Sequence, residues 1–134
     1  MSKKIFWVLL LLVLLLSSSN LAFAFDFNPQ SSTLIKSAVS EISSVSGKIS
    51  IYGETQTFNT VTKITVTSYL QYWNGSVWVD YLSWTATRDN ANLVGVYREV
   101  TPPKGYYYRV RSVHTAESGG IKETLHSTTN WIYY

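Results

Sequence analysis

The pair Asn74-Gly75 separates two stretches of alternating apolar and polar residues, 61–73 and 76–88. Both central residues of a type I′ turn need positive φ, so Asn-Gly between alternating stretches predicts a two-residue β-hairpin. Such a turn places Trp73 opposite Ser76 and decides which side chains share a face of the hairpin. One face is then aliphatic, and the other is aromatic and polar.

The aromatic face of this hairpin carries four large rings, which belong to Tyr69, Trp73, Trp78 and Trp84. Planar aromatic side chains beside polar groups stack on sugar rings and anchor protein partners, so these four are candidate ligand-binding residues. The competing interpretation is that this face is the core, because large aromatic side chains are commonly buried. Exposure of at least two of the tryptophans would favour binding, whereas burial of all three would exclude it.

Turn residues and alternation divide the rest of the chain into further short strands. The predicted strands are a possible first strand within 25–46, then 47–55 and 92–100, and a second hairpin of 106–117 with 121–134. Together with the first hairpin they make six or seven strands separated by closely spaced turn signals. This pattern predicts an all-β antiparallel sandwich that covers 47–134 and follows an N-terminal segment at 25–46.

The second hairpin carries a basic stripe. A turn centred on Ser118-Gly119 divides this hairpin into an apolar face and a polar face, and the polar face carries Arg109, Arg111 and Lys122. The guanidinium fork suits phosphate or carboxylate, so these residues are candidate contacts for an anionic polymer such as a wall teichoic acid or an acidic glycan. A solvated outer face is the alternative. The same register puts Trp131 on the apolar face.

The two histidines of this hairpin do not predict a metal site. His114 points to the inner face near its rim, whereas His126 points outward opposite Arg111, so the two cannot share a metal ion. The chain has no cysteine, which excludes disulfides and thiolate ligands. We therefore expect neither a metal nor another cofactor.

The first 24 residues have the pattern of a secretory signal peptide. A basic start is followed by an apolar run at 5–16, and then by Ala22 and Ala24 at the −3 and −1 positions of a cleavage site. The apolar run is shorter than the roughly 20 residues that span a bilayer. We expect a signal helix at 1–24, cleavage after Ala24, and a secreted, extracellular protein without stable membrane insertion.

Motifs and charge argue against catalysis and against nucleic-acid binding. Acidic residues are few and isolated, and Asp80 on the aromatic face has no second acid nearby, whereas a glycosidase needs a pair. The net charge of +3 falls to about +1 when Lys3 and Lys4 leave with the signal peptide, since nine basic residues (eleven minus two) then face eight acidic ones. Because there is no basic run, nucleic acid is not an expected partner.

The residues after "VTPPKG" have the pattern Tyr106-x-Tyr108-x-Val110-x-Ser112. This pattern resembles the F strand of fibronectin type III domains and related immunoglobulin-like sandwiches. The resemblance implies an immunoglobulin/fibronectin-III-like sandwich in which Tyr106 is the tyrosine corner, with its hydroxyl bonded to the backbone of the preceding turn. The layout also resembles small secreted proteins of Gram-positive bacteria in domain-of-unknown-function families, which implies a compartment and a size but no activity.

We therefore expect a secreted, non-catalytic β-sandwich that serves as a binding or interaction module at the bacterial surface or in the medium. The expected kind of partner is a cell-surface glycan or protein. Three alternatives stay open: a carbohydrate-binding module that uses the aromatic face, a secreted toxin or antimicrobial-type effector, and a matrix protein that polymerises through exposed edge strands.

Overall fold

A computed structural model describes residues 33–134 of the chain. The predicted signal helix, its cleavage residues Ala22 and Ala24, and residues 25–32 lie outside the described residues. Within 33–134 the structure is all-β and antiparallel, as the sequence predicts. In that part, no helix has the length and apolar character needed to cross a membrane.

The described chain forms six strands, two of which are unusually long. They are β1 (Ile35–Val45), β2 (Lys48–Trp73), β3 (Trp78–Val100), β4 (Tyr107–Ser118), β5 (Ile121–Thr128) and β6 (Ile132–Tyr133). The stretches predicted as separate strands at 47–55 and 92–100 are the first part of β2 and the last part of β3. The observed number agrees with the predicted six to seven.

β2 is the central strand of the fold, because it pairs with β1, β3 and β4. Its first half pairs with β1 on one side and with the last part of β3 on the other, forming the first layer. Its second half pairs with the first part of β3 and with β4, which also pairs with β5 and β6, forming the second layer. Pairing with β3 is interrupted between Gln56 and Val61, where β2 passes from one layer to the other.

The two layers pack face to face around two apolar clusters. One cluster joins Ile49 and Ile51 of the first layer to Leu70, Tyr108 and Val110 of the second. The other cluster consists of the buried residues Ile35, Val61, Ile64, Val66, Val94, Val96 and Ala116. This arrangement is compatible with a β-sandwich and agrees with the predicted fold class.

A layer of small polar residues and one histidine separates the two apolar clusters. On β2, Ser68 lies between the core residues Val66 and Leu70. On β4, Ser112 and His114 occupy inward positions between the same two clusters. All three polar side chains are fully buried.

A continuous chain of hydrogen bonds runs through this polar layer. Its links lead from Thr55 through His114, Ser127, Ser40 and Ser112 to Ser68. The His114 ring reaches Thr55 Oγ1 through Nδ1 at 2.8 Å and Ser127 Oγ through Nε2 at 2.7 Å. Every buried side-chain nitrogen and oxygen of the described residues has a hydrogen-bond partner, so the layer avoids the penalty of unsatisfied polar burial.

Gly53 of β2 allows the two layers to approach each other at the polar layer. A Cβ atom at this buried position would collide with the hydroxyl of Ser68 and would lie 3.2 Å from the hydroxyl of Ser112. Because protein interiors are close-packed, any larger residue at position 53 has to push the layers apart or displace the hydrogen-bonded serines.

The first hairpin has a four-residue loop that begins at Asn74, instead of the predicted two-residue turn. Asn74 Oδ1 accepts hydrogen bonds from the backbone N–H groups of Ser76 and Val77, each at 2.9 Å, so the asparagine closes the loop with its side chain. Trp73 therefore pairs with Trp78, and the predicted pairing with Ser76 was wrong. The predicted and observed registers differ here by an even number of residues, so the side chains beside the loop keep their predicted faces.

The second hairpin turns at Gly119-Gly120, one residue later than predicted. Both glycines have positive φ, 58° and 78°, as the favoured two-residue hairpin turn requires. Each cross-strand partner moves by two residues, so His126 lies opposite Val113 and its predicted pairing with Arg111 was wrong. Because this shift is also even, the inward and outward assignment of β4 agrees with the prediction. His114 is inward as expected, but it lies in the core and not at the rim.

The tyrosine corner is formed by Tyr108, so its assignment to Tyr106 was wrong. Tyr108 is buried, and its hydroxyl donates a hydrogen bond to the backbone carbonyl of Pro103 at 2.6 Å. Burial, with the neighbouring tyrosines, raises the pKa of Tyr108 to about 12. Tyr106 is 42% exposed and contacts the Tyr108 ring edge-on.

Replacing Tyr108 by Phe tests the tyrosine corner. The substitution removes the hydrogen bond and leaves the Pro103 carbonyl without that donor, so we expect the free energy of unfolding to fall by about 1 kcal/mol. Tyr106→Phe is the matched control and should leave stability unchanged. Urea unfolding of both variants measures the difference, and a larger loss in Tyr106→Phe would contradict the assignment.

The buried His114 makes stability depend on pH. Burial, with a smaller contribution from the charge of His126, lowers the pKa of His114 from 6.5 to about 4. Above pH 6.5 the ring is neutral in both folded and unfolded chains. Below it the unfolded chain takes up a proton that the folded chain resists, so stability falls by up to about 3 kcal/mol as the pH drops from 6.5 to 4.

His114→Gln removes this titration and should flatten the loss of stability between pH 6.5 and 4. Urea unfolding midpoints at several pH values in that window measure the effect. His126→Gln, at an exposed position, is the control and should keep most of the wild-type slope, because His126 makes only the smaller contribution to the pKa of His114. Equal slopes in wild type and His114→Gln would show that His114 does not cause the pH dependence.

Candidate ligand-binding face

The outward face of the second layer unites two sets of candidate residues that the sequence left on separate hairpins. Because β2 pairs with β4, Tyr69 lies opposite Arg111 and Gln71 lies opposite Arg109. We call this surface the aromatic–arginine face. Its members are Tyr69, Gln71, Trp73, Trp78, Asp80, Tyr107, Arg109, Arg111 and Trp131.

Two aromatic pairs flank a groove on this face. Trp73 and Trp78 are cross-strand neighbours whose ring centroids lie 5.5 Å apart at 56°. Tyr107 and Trp131 meet edge to face at 4.8 Å. The groove between the pairs has a volume of about 430 Å³. All three tryptophans of the groove are at least partly exposed, and Trp131 is 60% exposed, so this face is not a closed core.

Arg109 adjoins the groove and is held in one orientation. Its guanidinium carbon lies 4.4 Å from the centre of the Trp78 ring, a cation–π contact. Its Nε donates a hydrogen bond to Gln71 Oε1 at 2.9 Å, and Gln71 Nε2 donates to Asp80 Oδ1 at 2.7 Å. Burial, with the nearby charge of Arg111, lowers the pKa of Arg109. The relay from Asp80 through Gln71 therefore orients a partly desolvated cation.

Arg111 lies one outward position further along β4 and is already partnered. Its guanidinium carbon lies 4.5 Å from the centre of the Tyr69 ring, and its Nη2 lies 3.7 Å from Asp80 Oδ2. Asp80 thus contacts Arg111 directly through one oxygen and is linked to Arg109 through Gln71 by the other.

Lys122 does not join the two arginines, although the sequence pattern put it on the same stripe. It lies at the far end of the second hairpin, opposite Glu117, and pairs with that carboxylate at 3.4 Å. Its partner position is six residues along β4 from Arg111, which corresponds to about 20 Å of strand. The structure therefore separates Lys122 from the candidate site.

Trp84 does not belong to this face either, and its predicted placement was wrong. Pairing between β2 and β3 shifts by one residue at Leu70, where Tyr81 is the extra residue of a β-bulge. Beyond the bulge Trp84 lies opposite Ser68, so its indole turns inward and packs against both apolar clusters. A one-residue shift exchanges the two faces of a strand.

Sequence reasoning missed Tyr107 and Trp131 as site residues. Trp131 was expected on the inner face, in continuation of β5. However, β5 ends at Thr128 and β6 begins at Ile132, so the alternation is broken between them. β6 pairs with the start of β4, which brings Trp131 outward against Tyr107. The three consecutive polar residues at 128–130 are the sequence feature that could have indicated this break.

The face offers flat apolar rings beside a guanidinium fork and a carboxylate. This combination suits a ligand that has apolar faces and polar edges. Within residues 33–134, no group of three or more His, Cys, Asp or Glu side chains is placed to hold a metal ion. No protein-family model matches the chain, and no curated protein matches it.

The β-bulge predicts different roles for two tryptophans that the sequence alone does not distinguish. Trp84→Ala removes a ring that packs against both apolar clusters and should lower the free energy of unfolding by about 3 kcal/mol. Trp131→Ala removes a mostly exposed ring and should cost less than about 1 kcal/mol. Chemical denaturation of the two variants provides the measurement, and the reverse order would contradict the inward position of Trp84.

Proposed function

We propose that this protein is a non-catalytic binding module of immunoglobulin-like sandwich type whose ligand is a glycan held in the aromatic groove. The observation that carries the proposal is the groove itself, in which Trp73 and Trp78 face Tyr107 and Trp131 across about 430 Å³. That volume lies within the range of small-ligand sites. The partly exposed rings provide flat apolar surfaces on which sugar rings stack.

Polar groups beside the groove complement the hydroxyl groups of a sugar. Asp80 provides a carboxylate, and Arg109, stacked on the face of the Trp78 ring, provides guanidinium donors. The buried Gln71 contacts both of these side chains through hydrogen bonds. These side chains are linked by hydrogen bonds to one another, so they are positioned before a ligand arrives. Preorganised polar contacts reduce the entropy lost on binding.

The acidic residue of this site supports a binding role and not hydrolysis. Asp80 accepts a hydrogen bond from Gln71 Nε2 at 2.7 Å and lies 3.7 Å from the Arg111 guanidinium, so both of its oxygens contact residues of this face. Glycosidases place two carboxyl groups on either side of the scissile bond. Among the residues that define this face, Asp80 is the one with a carboxylate. The second carboxyl group that a glycosidase needs is therefore lacking there.

The N-terminal pattern supports a place of action outside the cell. A basic start, an apolar run and Ala22 and Ala24 at cleavage positions together favour export. We propose that the module acts in the medium or at a bacterial surface, where polysaccharides are accessible to a glycan-binding face.

Alanine substitutions in the groove test the proposed function. Wild-type protein is titrated against a panel of neutral and acidic oligosaccharides by calorimetry, and Trp73→Ala and Trp131→Ala are compared on every oligosaccharide that binds. Loss of a stacking ring should weaken binding by about tenfold or more. Trp131→Ala is the more informative variant, because its exposed ring contributes little to stability.

Tyr97→Ala is the matched control for this experiment. Tyr97 is 54% exposed and pairs with Tyr52 in the first layer, away from the groove. Its removal should leave glycan affinity unchanged. Absence of binding across the panel would refute a glycan site in this groove. Equal weakening in Tyr97→Ala and Trp131→Ala would also refute it, as would binding of a protein partner in place of a glycan.

A further inference from the structure

The orientation of Arg109 leaves one edge of its guanidinium group available to a ligand. The Trp78 ring covers one face of the group, and Nε is used by Gln71. Among residues 33–134, no carboxylate lies within ion-pair distance of Arg109. The two terminal amino groups are therefore available as a pair of donors. Such a pair binds a planar anion with two parallel hydrogen bonds.

The local charge also favours an anion at this position. Arg109 and Arg111 occupy successive outward positions of β4, and the carboxylate of Asp80 is paired with Arg111. The three groups together carry a net charge of +1. Arg109 and Arg111 are partly exposed and Asp80 is exposed, so an anionic ligand can reach this surplus positive charge from solvent.

We propose that the glycan bound in the groove is acidic, and that Arg109 binds the carboxylate of a uronic acid residue. This inference rests on the proposed function. The position of Trp78 supports the inference, because its indole lines the groove and also stacks against the guanidinium group of Arg109. A uronic acid combines the two complementary features in one residue, since its carboxylate is attached to the ring. The planar guanidinium matches a carboxylate in a way that lysine does not.

The test uses pairs of ligands that differ only in charge. Hexasaccharides of galacturonate and of hyaluronan are titrated into the wild-type protein by calorimetry, beside the same oligosaccharides with their carboxyl groups reduced to alcohols. We expect at least one acidic form to bind about tenfold more tightly than its reduced form. The difference should shrink in about 0.5 M salt, because an exposed ion pair is screened.

Substitutions of Arg109 and Asp80 identify the side chain that recognises the ligand carboxylate. Arg109→Gln should abolish the preference for the acidic form over the reduced form, and Arg109→Lys should restore only part of that preference. Asp80→Asn removes the competing carboxylate and should strengthen binding of the acidic form. Lys48→Gln removes an exposed cation of the first layer and is the matched control, for which no change is expected.

The possible outcomes separate this inference from the proposed function. Equal affinity for acidic and reduced forms would overturn the inference and leave a glycan-binding groove intact. A preference that survives Arg109→Gln, or that Lys48→Gln reduces equally, would show a non-specific charge effect and would also overturn it. If neither form of any oligosaccharide in the wider panel binds, the inference and the proposed function both fail.

Discussion

The antiparallel pairing of β2 with β4 is the interaction on which the candidate site depends. β2 crosses from one layer to the other, and its second half becomes an inner strand with β3 on one side and β4 on the other. Pairing aligns Gln71 with Arg109 and Tyr69 with Arg111. Backbone hydrogen bonds set this alignment, and the cation–π contacts follow from it because opposed side chains on one face lie close together.

The polar layer in the core gives this pairing a defined register. Ser68 and Ser112 face each other on β2 and β4 and are hydrogen-bonded at 2.8 Å. A slip of β4 along β2 would place at least one of these hydroxyls against an apolar neighbour without its partner, and an unsatisfied buried group costs about 1–3 kcal/mol. The polar layer therefore reduces the apolar area buried in the core, but it favours a single alignment of the strands that form the groove.

Much of the outward and inward assignment was predictable, because strand alternation has a period of two. Both hairpin registers were wrong by two residues, and Arg109 and Arg111 still face outward as predicted. Trp84 was misplaced because a single-residue bulge at Tyr81 reverses the alternation. Trp131 was misplaced because the chain leaves one strand and enters another between Thr128 and Ile132.

The sequence by itself determined the β-rich class, the two hairpins and the solvent side of β4, because these depend on local turn chemistry and on alternation along one strand. Only the tertiary structure decided that the tryptophan pair and the arginines share one face, that Tyr108 forms the corner, and that His114 is buried between two layers. Each of these depends on which distant strands are neighbours and on bulges of one residue. Such non-local pairings leave no periodic mark in the sequence.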